Sequence, residues 1–183
     1  MQATSRTPIY ESPNSRIYLE ELDGKPVVVK VLNAEHPSPE KIVQFNNEYD
    51  LTCEMQAVGV RKAIKKGRVD NRYALFLEYV PGITLAAYLN RPQHSLAEKL
   101  KIALSIAAAL AEVHAGRIIH KDLNPLNIIL DEQALRATLI DFGISSRIDL
   151  KTPHLGHPRG LEGTLAYISP EQTGRMNRVV GYR

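Results

Sequence analysis

A chain of 183 residues, 44% hydrophobic and 23% charged, is long enough to bury a real core and has the make-up of a folded globular protein. Its net charge of +3 is mild, it has no tryptophan, and no aromatics alternate with the cations of its one dense basic run, RKAIKKGR at 61–68, which argues against a nucleic-acid-binding surface. The single cysteine, Cys53, excludes an internal disulfide and fits a reducing, cytoplasmic setting; the N-terminal MQATSRTPIYESP lacks the apolar segment of a signal peptide, and the apolar IALSIAAALAEVHA, 102–115, is too short to span a bilayer.

RIYLEEL, 16–22, predicts a strand that ends at the turn DGKP, and PVVVKVL, 26–32, predicts a buried strand from its β-branched run. SPEKIVQFNNEYDLTCEMQAVG, 38–59, predicts a helix capped by Ser38, with Pro39 in its first turn and Gly59 at its end. Two further strands, VRKAI at 60–64 and YALFLEYV at 73–80, flank KKGRVDNR, read as the turn of a solvated hairpin. Pro81-Gly82 breaks the pattern. TLAAYLN, 84–90, predicts a short helix and 95–117 a long one, with a Ser95/Glu98 capping box and Gly116 at its end. Strands come first and helices after, with a seam at EYVPG, 78–82. The expectation is an α+β chain in two parts, 1–80 and 81–183.

After the long helix comes IIHKDLNPLNIIL, 118–130, then a second apolar run, ATLI, and Asp141 in LIDFG. The runs NIIL and ATLI form a hairpin that can bring Asp122, Asn127 and Asp141 to one edge. Two oxygen ligands, Asn127 and Asp141, suit Mg²⁺, which takes few protein oxygens and completes its shell from phosphate. Asp122 is then left to receive a proton from an incoming hydroxyl. Upstream, Lys30 lies inside the apolar strand VVVKVL, where an ammonium group needs a partner; Glu48 on the following helix supplies one.

VVVK, HKDLNPLN, DFG and GTLAYISPE occur in that order, and together they resemble the Ser/Thr type of protein kinase catalytic domain: the strand bearing the nucleotide-binding lysine, the HRDLKPxN catalytic loop, the DFG element and the APE element, here SPE. The wording of HKDLNPLN and GTLAYISPEQTGRMNR is most similar to the kinase domain that opens bacterial multi-sensor signalling proteins. The resemblance implies a two-lobe fold with a small β-rich N-lobe and, since the chain stops at Arg183, an incomplete helical C-lobe that calls for further helices. It implies ATP and Mg²⁺ as cofactors, a protein substrate, a signalling role and further domains on a longer chain. By the same resemblance Lys30, paired with Glu48, binds the α- and β-phosphates. Asp122 orients or deprotonates the substrate hydroxyl, and Asn127 and Asp141 hold Mg²⁺. Leu77 backs the adenine pocket, the backbone of Glu78 and Val80 meets adenine, and Ile17, Val28 and Ile129 sandwich it. His120 and Phe142 align the site, and Thr164 belongs to the substrate-facing part of the activation segment, 141–171.

Three departures bear on activity. YESPNS, 10–15, replaces the glycine-rich GxGxxG loop, with Tyr10, Ser12 and Ser15 where glycines stand and Pro13 lacking a backbone donor. Asn124 replaces a lysine that would neutralise charge on the transferring group. Lys121 replaces an arginine whose fork reads a phosphorylated loop. The missing glycines, Asn124 and the stop at Arg183 keep open a second reading, a pseudokinase or fragment that binds nucleotide or partners without transfer. A small-molecule kinase, which shares the HxDxxxxN pattern, is disfavoured by GTLAYISPE.

Overall fold

The computed structural model describes residues 6–148, 163–173 and 181. GRMNR and the middle of the activation segment lie outside the described residues. Two compact units form. The first comprises the described residues up to Glu54 together with Arg61–Val80; the second comprises Met55–Val60 and the described residues from Pro81 onward.

The first unit is built on an antiparallel five-stranded sheet in the order β1-β2-β3-β5-β4. Its strands are β1 (Thr7–Glu11), β2 (Ser15–Leu22), β3 (Lys25–Leu32), β4 (Ala63–Val69) and β5 (Arg72–Glu78), with helix α1 (Pro39–Glu54) between β3 and β4. The run PVVVKVL is buried on both faces, as an uninterrupted β-branched stretch should be. Val28 and Leu32 pack with Phe45 of α1, Ala63, Leu75 and Leu77 on one face. Val27, Val29 and Val31 pack with Val69 and Ala74 on the other. Helix α1 turns Phe45, Glu48, Leu51 and Thr52 inward, a spacing that keeps one helical face buried.

Three boundaries differ from the sequence reading. Helix α1 stops at Glu54 rather than Gly59, because the next residues find partners in the second unit. The Val58 N–H donates to Glu112 at 2.6 Å, the Gly59 carbonyl accepts from the Leu139 N–H at 2.8 Å, and Val60 bridges Leu139. A side chain at Gly59 would collide with Ala109. The basic run lies in a strand, not in a turn: Lys65, Lys66 and Arg68 belong to β4. Each cation rests 4.6 Å over a ring centroid, of Phe76, Tyr49 and Tyr73 respectively. The turn itself shrinks to Asp70 and Asn71, both at positive φ, the geometry of a tight hairpin. Strand β5 ends at Glu78, two residues short of Val80.

The second unit contains β6 (Ile83–Thr84), α2 (Leu85–Leu89), α3 (Leu96–Ala115), β7 (Ile118–Ile119), β8 (Ile128–Asp131), β9 (Arg136–Leu139) and β10 (Ser146–Arg147). The capping box forms as read: Ser95 Oγ accepts from the Glu98 N–H, Glu98 Oε2 accepts from the Ser95 N–H, and Gly116 closes the helix. Ile102, Ala109 and Val113 are the buried face of α3, which packs on β9, and the Ala137 N–H donates to Ser105 Oγ. Strands β8 and β9 pair as the expected hairpin, flanked by β6. Gly82, at φ +136°, lies where any Cβ would strike the Leu130 carbonyl.

Candidate functional site

In the first unit, the Lys30 Nζ donates to Glu48 Oε2 at 2.6 Å, and Glu48 is 2% exposed. Lys30 comes from the centre of β3 and Glu48 from the inward face of α1. A buried carboxylate needs compensating charge, and Glu48 has two sources: Arg61 Nη2 lies 3.8 Å from its other oxygen. Arg61 was not foreseen as a partner, because the sequence places it in a basic run that reads as solvated.

Of the residues expected around adenine, Val28 and Leu77 sit in the core cluster facing α1, and Ile17 packs against that cluster. Ile17 is paired with Lys30 across the β2–β3 ladder. Glu78 uses its N–H on the Lys62 carbonyl at 2.9 Å, and Val80 follows two residues after the end of β5. Ile129 belongs to β8 in the second unit.

The second unit gathers the remaining residues. Pro125–Asn127 form a single 3₁₀ turn, capped by Asn124, whose Oδ1 accepts from the Leu126 N–H at 2.9 Å. The turn throws Asn127 back toward Asp122: the Asn127 Nδ2 donates to Asp122 Oδ2 and to the Asp122 carbonyl, both at 2.9 Å. Asp122 Oδ1 accepts from the backbone N–H and the hydroxyl of Thr164, both at 2.8 Å, and from Asn124 Nδ2 at 3.2 Å. Asn124 Nδ2 also donates to Thr164 Oγ1 at 3.0 Å. The Thr164 hydroxyl therefore relays between the amide of Asn124 and the carboxylate of Asp122. Gly163, at φ +109°, lets this segment approach; a Cβ there would press on the Lys121 carbonyl and Asp122. Gln172 ties the SPE end to the same loop, donating to the Lys121 carbonyl at 2.7 Å.

His120 and Phe142 support this loop from beneath. His120 is 2% exposed and meets Phe142 edge-on at 4.6 Å. Its Nδ1 accepts the Asp122 N–H at 3.3 Å, so its Nε2 carries the proton and donates to the Ile140 carbonyl at 3.0 Å. Burial lowers its pKa, against the opposing pull of the Ile140 carbonyl, Asp141 and Asp122. Ser145, also unforeseen, donates to the His120 carbonyl at 2.9 Å. The Ile140 N–H donates to the Asn127 carbonyl at 3.0 Å, which sets Asp141, at φ 63°, beside the turn that carries Asn127.

The chemistry of this pair fits a divalent cation. The Asn127 amide donates to Asp122 through Nδ2, so the Asn127 Oδ1 is the oxygen it could offer a cation. Asp141 brings a carboxylate to the residue after Ile140, which is bonded to the same turn. Among the described residues no three His, Cys, Asp or Glu side chains gather at one point. A cation here would lean on two protein oxygens and on oxygens of its substrate, the pattern Mg²⁺ favours.

Residues 15–181 match the family described as protein kinase domain. The chain is 30% identical over 163 residues to the serine/threonine-protein kinase PrkC of Bacillus subtilis, covering 86% of this chain and 24% of that one. It is 31% identical over 148 residues to a probable serine/threonine-protein kinase of Clostridium perfringens, covering 80% and 21%. It is 30% identical over 165 residues to the RGS domain-containing serine/threonine-protein kinase A of Dictyostelium discoideum, covering 89% and 14%. The chain spans a quarter or less of the length of these curated relatives.

Proposed function

This chain belongs to the protein kinase domain family, and on that premise we propose that it is the catalytic domain of an ATP-dependent protein serine/threonine kinase, with 1–80 as the nucleotide-binding lobe and 81–183 as the catalytic lobe. The observation that carries the reading is the Asp122 carboxylate, held at one oxygen by Thr164 and Asn124 and at the other by Asn127. A carboxylate fixed this way keeps its lone pairs in one geometry, as a general base requires.

In this reading the substrate hydroxyl donates to Asp122, which takes its proton as the hydroxyl oxygen bonds to the γ-phosphorus. The bond from that phosphorus to the bridging oxygen of ADP breaks, and ADP leaves. Lys30 binds the α- and β-phosphates, and Glu48 holds the ammonium group in place. Asn124 offers a neutral donor where a lysine would offer charge, so charge neutralisation rests on Lys30 and on Mg²⁺. Asn127 and Asp141 are the residues that would hold Mg²⁺, which offsets the charge of the phosphates when bound. Ile17, Val28, Leu77 and Ile129 enclose adenine, and the backbone of Glu78 and Val80 reads its edge.

The substrate is a protein, and Thr164 belongs to the segment that receives it. No helix among the described residues is long and apolar enough to cross a membrane. We assign the chain to the cytoplasm, in a longer signalling protein, a reading supported by the lone cysteine and by the greater length of the relatives. The residues encoded downstream of Arg183 test that part. A nucleotide-binding or interaction module without transfer is the second reading, favoured by Asn124 in place of a lysine and by Tyr10, Ser12 and Ser15 in place of glycines. The two separate on Asp122→Asn, which lowers transfer by orders of magnitude under the first and has no transfer to lower under the second.

A further inference from the structure

The turn between β1 and β2 stands where a kinase offers backbone amides to phosphate, and here each amide already has a partner. The Ser12 N–H donates to the Ser15 carbonyl at 2.9 Å. Pro13 has no N–H. The Asn14 and Ser15 N–H groups both donate to the Ser12 hydroxyl oxygen, at 3.3 and 3.0 Å. That hydroxyl lies 3.0 Å from the Ser15 carbonyl, which accepts its proton. The other side of the turn is tied down as well. Asn33 Nδ2 donates to the carbonyls of Ser12 and Pro13 at 2.8 and 3.2 Å, and the Asn33 N–H donates to the Asn14 carbonyl at 3.0 Å. None of residues 10–15 adopts a positive φ, so Tyr10, Ser12 and Ser15 stand in for glycines without strain.

From this accounting we propose that the Ser12 hydroxyl acts as an internal stand-in for a phosphate oxygen: it occupies the Asn14 and Ser15 amides, and Ser12 thereby restricts how tightly the chain binds the phosphates of its nucleotide. The proposal deepens the kinase reading and rests on it. A backbone N–H held by a neutral hydroxyl is satisfied at ordinary hydrogen-bond strength, whereas the same N–H on a phosphate makes a stronger, charge-assisted bond. To reach phosphate the turn must first give up its own bonds, and that difference comes off the affinity. Ser12 is a specificity-determining residue for phosphate.

The experiment is calorimetric titration of the whole chain with ADP and with adenosine, in the wild type, Ser12→Ala and Ser12→Thr. The ADP-to-adenosine affinity ratio isolates the phosphate contribution. The ratio rises about tenfold in Ser12→Ala, as expected when a donor is released to a charged acceptor, and stays at the wild-type value in Ser12→Thr, which keeps the hydroxyl. A ratio that is unchanged or lower in Ser12→Ala overturns the proposal and leaves the kinase reading standing. Absence of both adenosine and ADP binding in all three proteins overturns the kinase reading and the proposal with it. Should Ser12→Ala fail to fold, amide exchange in the wild type decides. The Asn14 and Ser15 amides are protected before ADP is added and gain nothing from it; amides that exchange freely and become protected with ADP contradict the proposal.

Discussion

Thr164 grips the Asp122 carboxylate twice, its backbone N–H and its hydroxyl both reaching Oδ1 at 2.8 Å across 42 residues of sequence. The segment that follows the DFG element is thus fastened to the residue assigned as base, and the hydroxyl is also the acceptor for Asn124. Thr164→Ala keeps the backbone donor and loses the hydroxyl. Turnover falls about tenfold, the worth of one hydrogen bond to a charged group, while the KM for ATP holds. Thr164→Ser restores the rate. Steady-state kinetics with varied ATP separates the two constants.

Asn124→Asp keeps the cap on the 3₁₀ turn, because an Asp oxygen still accepts from the Leu126 N–H. It replaces the donor 3.2 Å from Asp122 Oδ1 with a second carboxylate oxygen. Two carboxylates at that distance do not both ionise readily, so the pair retains a proton to higher pH. The acid limb of the pH–rate profile moves upward, and the rate at neutral pH falls. An unmoved acid limb contradicts the placement of Asn124 against the base.

Lys30→Ala leaves the buried Glu48 facing Arg61, whose Nη2 lies 3.8 Å from its Oε1. Breaking a buried ion pair from one side costs about 3–5 kcal/mol, and Arg61 reduces that cost here. The denaturation midpoint drops and ADP affinity is lost together. In Lys30→Ala/Glu48→Gln, which removes the stranded charge, stability recovers and ADP affinity does not. Denaturant titration and calorimetry on both variants test this.

His120 makes the stability of the fold depend on pH. Its two hydrogen bonds, from the Asp122 N–H and to the Ile140 carbonyl, are both satisfied by the neutral ring, and burial depresses its pKa. The unfolded chain therefore binds a proton at a higher pH than the native one. Stability from this residue is present above the ordinary histidine range, near about 6.5, and is lost as pH falls below it toward the depressed native value. His120→Gln removes this component of the slope. Burial also lowers His114, so a residual slope remains. Midpoints measured between about pH 7 and 5 give the comparison.

Much of the fold is legible in the sequence because its signals are local. The run VVVKVL announces a strand buried on both faces, and Ser95 with Glu98 marks the start of α3 within one turn. Lys30 in an apolar strand asks for a carboxylate, and Glu48 answers it. The illegible parts depend on long-range partners. Helix α1 ends five residues early because Glu112 and Leu139 take up the backbone that follows it. Lys65, Lys66 and Arg68 sit in a strand because three aromatic rings, contributed by α1 and β5, accept them. Strand β1 carries no buried residue, so its sequence shows no period to read. The hold of Thr164 on Asp122 depends on contacts 42 residues apart in sequence, which no local pattern encodes. The closed turn at Ser12 shows in sequence only as missing glycines.

The most direct test of the central claim is transfer of the labelled γ-phosphoryl group of ATP to a protein hydroxyl, compared between the wild type and Asp122→Asn, with ATP binding measured on the same samples. The account predicts that the wild type transfers label, that Asp122→Asn lowers the rate by roughly 10²–10⁴-fold, and that both bind ATP with the same affinity. Equal transfer by the two proteins, or ATP binding with no transfer by either, would contradict it.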